Sequence, residues 1–229
     1  TALRNQLKNQ ISDASDIIKN GQLIPQNALD EMAKQVIVLQ DEDTNTRYSR
    51  MLESNENLKV LQGSTPAGIR KLMDASQSQM KGEQDLETLR RLSEFQEDSQ
   101  AYLDSMEQAF SKGQVLDHLD RVGAIDVQPF DTSDIAGSTE RRLAELRSAQ
   151  PYLIYDETLG PSYEPNFFTE TEAQAVVRYI NQASPEQKAS IAQAFQAASK
   201  EAPQVWEQIA KKNGQLFAMA GAIGNIDTA

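Results

Sequence analysis

The single histidine of the 229 residues, His118, stands in the run Leu116-Asp117-His118-Leu119-Asp120. A histidine beside carboxylates has the chemistry of a general base or a metal ligand. Zinc, however, takes three or four nitrogen or sulfur ligands, and the chain has no second histidine and no cysteine. No Gly-x-Ser-x-Gly run sets a serine on a strained turn for a histidine to activate. The pattern therefore predicts an exposed helix histidine. Asp41-x-Asp43-x-Asn45 opens like a calcium loop, which needs glycine at its sixth position and glutamate at its twelfth. Here those positions are Thr46 and Leu52. Gly214, Gly221 and Gly224 are too sparse to cradle a phosphate and follow no strand pattern. We expect no catalytic, cofactor-binding or metal-ligating residue, and no cofactor.

The absence of cysteine excludes disulfides and thiolate chemistry, and leaves the chain indifferent to redox compartment. The net charge is −12, divided as −1 over residues 1–80, −7 over 81–150 and −4 over 151–229. Such a polyanion is repelled by phosphate, so no direct nucleic-acid binding is expected. The acidic middle reads as a solvated helix face. No apolar run approaches the roughly 20 residues of a membrane span, and no signal peptide is visible. Because the chain opens with Thr1, it is expected to be a piece of a longer protein.

The elements that would position any site are helical. Apolar residues at three–four spacing over Leu3, Leu7, Ile11, Ala14 and Ile18 mark a first amphipathic helix, stopped by Gly21. A second carries Leu29, Met32 and Val36 and is expected to end at Asp41-Glu42-Asp43. A third runs from about Asn45 to Gln62. Thr65 and Pro66 cap and open a fourth. Residues 83–111 contain no Gly or Pro and predict one long helix. A short helix over Val115–Val122 follows, then an extended connector, Ala124–Asp131. Ser138 is expected to cap the next helix, which turns Leu143 and Leu146 inward and ends before Pro151. Residues 151–166 form a loop rich in Tyr and Pro. Thr169-x-x-Glu172 and Ser184-x-x-Gln187 are capping boxes opening two further helices. Helices from Pro203 and over 215–223 complete the chain. No sustained alternation predicts a sheet.

The fold class is therefore all-α: a multi-helix array of packed helical hairpins with one long central helix. We divide it as an N-terminal helical domain (1–123), a connector with one helix and the Tyr/Pro-rich loop (124–168), and a C-terminal helical bundle (169–229). Trp206, beside Val205 and Ile209, and the pair Phe167-Phe168 read as core, with a partner-binding role as the other reading.

Several runs carry a resemblance: Ala101-Tyr102-Leu103, Gly123-Ala124-Ile125, Pro129-Phe130-Asp131, the stretch from Ser138 to Arg147, Phe167 to Ala173, and Ser184-Pro185-Glu186-Gln187. Together they resemble the helical middle region of very large internal, or ejection, proteins of tailed-phage virions, which often bear a lytic transglycosylase domain elsewhere. The similarity spans most of residues 1–224 and rests on helix caps and apolar positions. A transglycosylase needs a catalytic glutamate followed by a Gly-Leu-Met-Gln-like stretch, and an Ala-Tyr-Asn-Ala-Gly-like stretch. Neither occurs here, so no active-site residue is carried over. The resemblance implies a non-enzymatic structural or scaffold segment, located in the virion and, after ejection with the genome, in the host periplasm or cytoplasm. Its implied partners are other virion proteins or copies of itself. The alternative is a bacterial all-helical protein–protein interaction module.

Overall fold

A computed structural model describes residues 2–156, 160–161 and 163–210. The fold is all-α, with ten helices among the described residues. They divide between two compact units, each assembled from separate stretches of chain. Among the described residues, the first comprises 2–109, 121–124, 154–156 and 160–161; the second comprises 110–120, 125–153 and 163–210. A division drawn along the sequence at 123 and 168 does not produce this interleaving. The expected helix over 215–223 lies outside the described residues, as do Gly214, Gly221 and Gly224.

In the first unit, α1 (Ala2–Lys19), α2 (Gln26–Leu39) and α3 (Glu42–Leu61) pack against one another. Their apolar stripes are buried: Leu7, Ile11 and Ile18 on α1, Leu29 and Met32 on α2, Met51, Leu58 and Leu61 on α3. Polar ties fix the register. The Tyr48 hydroxyl donates to the Leu29 carbonyl at 2.8 Å, and the buried Asn55 side chain accepts from the Ile24 amide at 2.9 Å. Gly21 turns the chain with φ +80°, and a Cβ there would lie 3.1 Å from the Tyr102 ring. Only glycine meets both demands cheaply.

Asp41-Glu42-Asp43 does not end α2. Asp41 is the N-cap of α3, accepting from the Thr44 amide at 3.1 Å, while Glu42 and Asp43 occupy its first turn. Carboxylates there answer the free amides and the positive end of the helix dipole, which a tally of breakers overlooks. Helix α4 (Pro66–Met80) begins as expected, with Thr65 accepting from the Gly68 amide. The long helix α5 (Leu86–Ser111) starts three residues later than residue 83, because the Asp85 carboxylate caps it by accepting from the Thr88 amide at 2.7 Å. The turn of α5 from Phe110 onward belongs to the second unit.

The second unit contains α6 (Val115–Arg121), α7 (Ile135–Leu153), α8 (Glu170–Gln182), α9 (Pro185–Ala198) and α10 (Gln204–Ala210). Helix α7 packs on α9, and α10 packs on α8 and α9. Three expectations for α7 are corrected. Asp134, not Ser138, caps it, accepting from the Gly137 amide at 3.0 Å. The helix passes through Pro151 to the buried Leu153, since a proline so near the end removes one hydrogen bond where few remain. Its inward stripe is Ile135, Thr139, Arg142, Leu146, Ala149 and Leu153, so Arg142 is buried where Leu143 was expected. The expectation of no sheet fails at one place. Strands β1 (Ile154–Asp156) and β2 (Gly160–Pro161) form a short antiparallel ladder, counted with the first unit. Residues so few carry no detectable alternation.

Both capping boxes form in full. Thr169 and Ser184 accept from the amides of Glu172 and Gln187, whose side chains reach back to the cap amides. Replacing Ser184 by alanine should cost about 1 kcal/mol of unfolding free energy in urea denaturation. No measurable loss would mean that α9 does not depend on its cap.

Candidate functional site

The densest polar chemistry among the described residues surrounds Arg142, in the second unit. Its position on the α7 stripe, at helical spacing from Ile135 and Leu146, directs the side chain inward. The residue is 2% exposed. A guanidinium has five N–H groups in a planar fork, and here each finds an acceptor. Nε donates to Glu145 at 2.7 Å. One terminal nitrogen donates to the Phe167 carbonyl at 2.7 Å and to Glu172 at 3.0 Å; the other donates to the Gln128 carbonyl at 3.1 Å and to Glu172 at 2.9 Å.

The carboxylates do further duty. Glu172 also accepts from the Phe130 amide at 2.8 Å and from the Thr169 amide at 3.0 Å. Glu145 accepts from the Gln128 amide at 2.9 Å. One cluster thereby joins α7, the connector, the 167–168 segment and the start of α8. Burial disfavours the charged guanidinium, but the hydrogen bonds and charge of Glu172 and Glu145 outweigh it and hold Arg142 above its ordinary value. Burial likewise pushes the Glu172 carboxyl up. The Arg142 contacts and the two backbone amides prevail and hold it below its ordinary value.

Phe130, Phe167 and Phe168 flank the cluster and are buried. Phe130 meets Phe168 edge-on at 5.0 Å, Phe168 meets Phe195 at 5.8 Å, and Phe195 meets Trp206 at 5.9 Å. Trp206 and the Phe167-Phe168 pair therefore lie in the core of this unit. The Gln208 amide fixes the pair further, accepting from both phenylalanine amides and donating to the Phe168 carbonyl. Beside the cluster, a cavity of about 520 Å³ is lined by Lys112, Asn166, Thr171 and Gln208 among others. Its lining is tight: Gly113 takes φ +74°, and a Cβ there would clash with the Asn166 side chain.

The residues that drew attention by type are not brought together. His118 is 1% exposed rather than solvated, because the seven-residue α6 buries Val115, Leu116, His118 and Leu119 alike. Its ring packs edge-on against Phe110 at 5.7 Å. In the first unit, Asp41 pairs with Arg4 at 3.2 Å, and Asp43 pairs with Lys8 at 2.6 Å and Arg47 at 3.2 Å. Those acids bind cationic side chains. Among the described residues no group of three His, Cys, Asp or Glu is arranged to hold a metal, and no helix is long and apolar enough to cross a membrane.

A second polar seam joins α3 to α5 in the first unit. Asp98 accepts from Ser54 at 3.0 Å and Asn57 at 2.8 Å, and Arg90 reaches Glu53, Glu87 and Glu94. Burial pushes the Asp98 and Glu94 carboxyls up, while hydrogen bonds from Arg90 and Arg91 hold the exposed Glu87 at about 2. Asp98 and Glu94 in the first unit, and Arg142 and Glu172 in the second, connect separate elements. Comparison with known proteins gives no match to the chain from any family model, curated protein or solved structure.

Arg142→Met keeps an unbranched apolar stem and removes the charge and donors. It takes their cation from the Glu145 and Glu172 carboxylates and their donor from two carbonyls, so it should cost roughly 3–5 kcal/mol. Equilibrium unfolding in urea checks this, and a loss below about 1 kcal/mol would reduce the cluster to an ordinary surface ion pair.

Proposed function

We propose that this chain is a structural segment of a tailed-phage virion protein, of the internal kind ejected with the genome, acting through assembly rather than catalysis. The observation that carries the reading joins the sequence to the fold. Residues that bear the resemblance, among them Phe130, Arg142, Phe167 and Glu172, are those that hold the second unit together. On this reading the resemblance reflects a scaffold, which is what a segment kept for its shape requires. The charge of −12 fits a protein stored beside packaged DNA without adhering to it. Its partners on this reading are other virion proteins or copies of itself.

One observation favours the alternative, a bacterial helical interaction module. Ile37 and Val38 near the end of α2 are 72% and 74% exposed, and adjacent apolar residues in water are a feature of contact surfaces.

Mass spectrometry of purified particles separates the two readings. Peptides from this chain are expected in the virion; their recovery from cell lysate but not from particles would favour the module. The pure chain should leave a peptidoglycan suspension turbid. Clearing that is abolished by substituting one carboxylate would overturn the non-enzymatic assignment.

A further inference from the structure

We propose that residues 125–131 form a proton-operated strap, whose release on protonation of Glu172 withdraws Phe130 from the aromatic core of the second unit while the helices remain formed. The inference does not depend on the phage reading.

The strap is extended chain with no strand beside it among the described residues, so its amides need other acceptors. The Ile125 amide uses the Leu119 carbonyl; further along, side-chain oxygens serve. The Val127 amide donates to Asp120 of α6 at 3.0 Å, the Gln128 amide to Glu145 of α7 at 2.9 Å, and the Phe130 amide to Glu172 of α8 at 2.8 Å. The Asp131 amide donates to the Ser138 hydroxyl at 3.0 Å. Arg142 grips the same segment from the other side through the Gln128 carbonyl. Three successive grips are thus carboxylates from three helices, and the strap's one deeply buried side chain is Phe130. A sheet edge would hold this segment alike at any pH; the Glu172 carboxylate holds it most strongly while ionised.

Glu172 is the deciding group. The charges around it are Arg142 and Glu145 from α7 and Glu170 on its own helix; α10 presents the neutral amide of Gln208. Arg141 touches the strap at the Pro129 carbonyl at 3.4 Å, and Asp126 and Asp131 lie on the strap itself. The folded state holds the Glu172 carboxyl below its ordinary value of 4.5. Its contribution is therefore complete above that value and is lost as pH falls through the lowered one. Protonation weakens the contacts of the Phe130 and Thr169 amides, which lose a charged acceptor, and leaves the buried Arg142 with one carboxylate fewer. Helix α8 keeps its own anchors, the buried Ala173, Val176 and Ile180, so loss of the strap need not unwind it.

The molecule carries its own reporter. Trp206 is the only tryptophan, and the ring contacts run from Phe130 through Phe168 and Phe195 to Trp206. In the full chain titrated from neutral pH to about pH 3, NMR would follow the Phe130 amide and the Glu172 carboxyl carbon. Trp206 emission and far-UV circular dichroism would be read in parallel. The expected result is one midpoint below 4.5 shared by Glu172, Phe130 and Trp206, with the helical signal retained. The Glu172→Gln variant should show the acid-form Trp206 emission at neutral pH and lose the transition. If that variant does not fold, the wild-type titration decides alone. A Phe130 amide that stays still while Glu172 titrates would overturn the proposal, as would a helical signal that collapses together with Trp206 emission.

Discussion

A guanidinium cannot be taken out of water without compensation, and in the second unit that requirement organises everything near it. Arg142 is almost wholly buried and satisfied at every donor. Desolvation of such an ion costs several kcal/mol, which only excellent geometry recovers. The geometry here is built from four pieces of chain. Each must arrive for the ion to be stable, so the cluster selects one arrangement of α7, the connector, the 167–168 segment and α8. An apolar side chain at the same place would tolerate many packings; the fork of Arg142 tolerates one.

The first unit uses charge differently. Its core of α1, α2 and α3 is apolar, and its ion pairs lie mostly at the surface, where each contributes little. The seam between α3 and α5 is the exception: Asp98 is held by neutral donors and carries a raised pKa from burial. That carboxyl gains a proton more readily folded than unfolded, so its linkage to pH has the opposite sign to that of Glu172. Acid therefore relieves the cost of burying the Asp98 charge in the first unit as it weakens the hub of the second.

How much of this could be read from the chain depends on how local each feature is. The caps at Thr65, Thr169 and Ser184 are legible because cap and amide, and at Thr169 and Ser184 the return contact too, fall within four residues. The long α5 was legible from the absence of Gly and Pro. Arg142 was not. The 4-3-4-3-4 spacing of Ile135, Thr139, Arg142, Leu146, Ala149 and Leu153 places it inward, but arginine is rarely buried unpaired, so the stripe was drawn through Leu143. The partners that permit burial, Phe167 and Glu172, lie 25 and 30 residues away. Glu172 was recognised for its capping role alone. The interleaving of the two units has the same cause, since contacts far apart in sequence leave no local pattern. His118 was misplaced because a short helix buries more of its circumference than an amphipathic pattern suggests.

The central claim is that Arg142 and Glu172 act as one unit, and a double-mutant cycle measures that directly. Urea unfolding of Arg142→Met, Glu172→Gln and the double variant, read at Trp206, yields their coupling free energy. The account predicts a double variant more stable than the sum of the single losses by at least ~1 kcal/mol, because either single substitution already breaks the Arg142–Glu172 contact and the second has less left to remove. Additivity to within about 0.5 kcal/mol would show that the two residues stabilise the fold independently, and the hub would lose its place as the organising interaction.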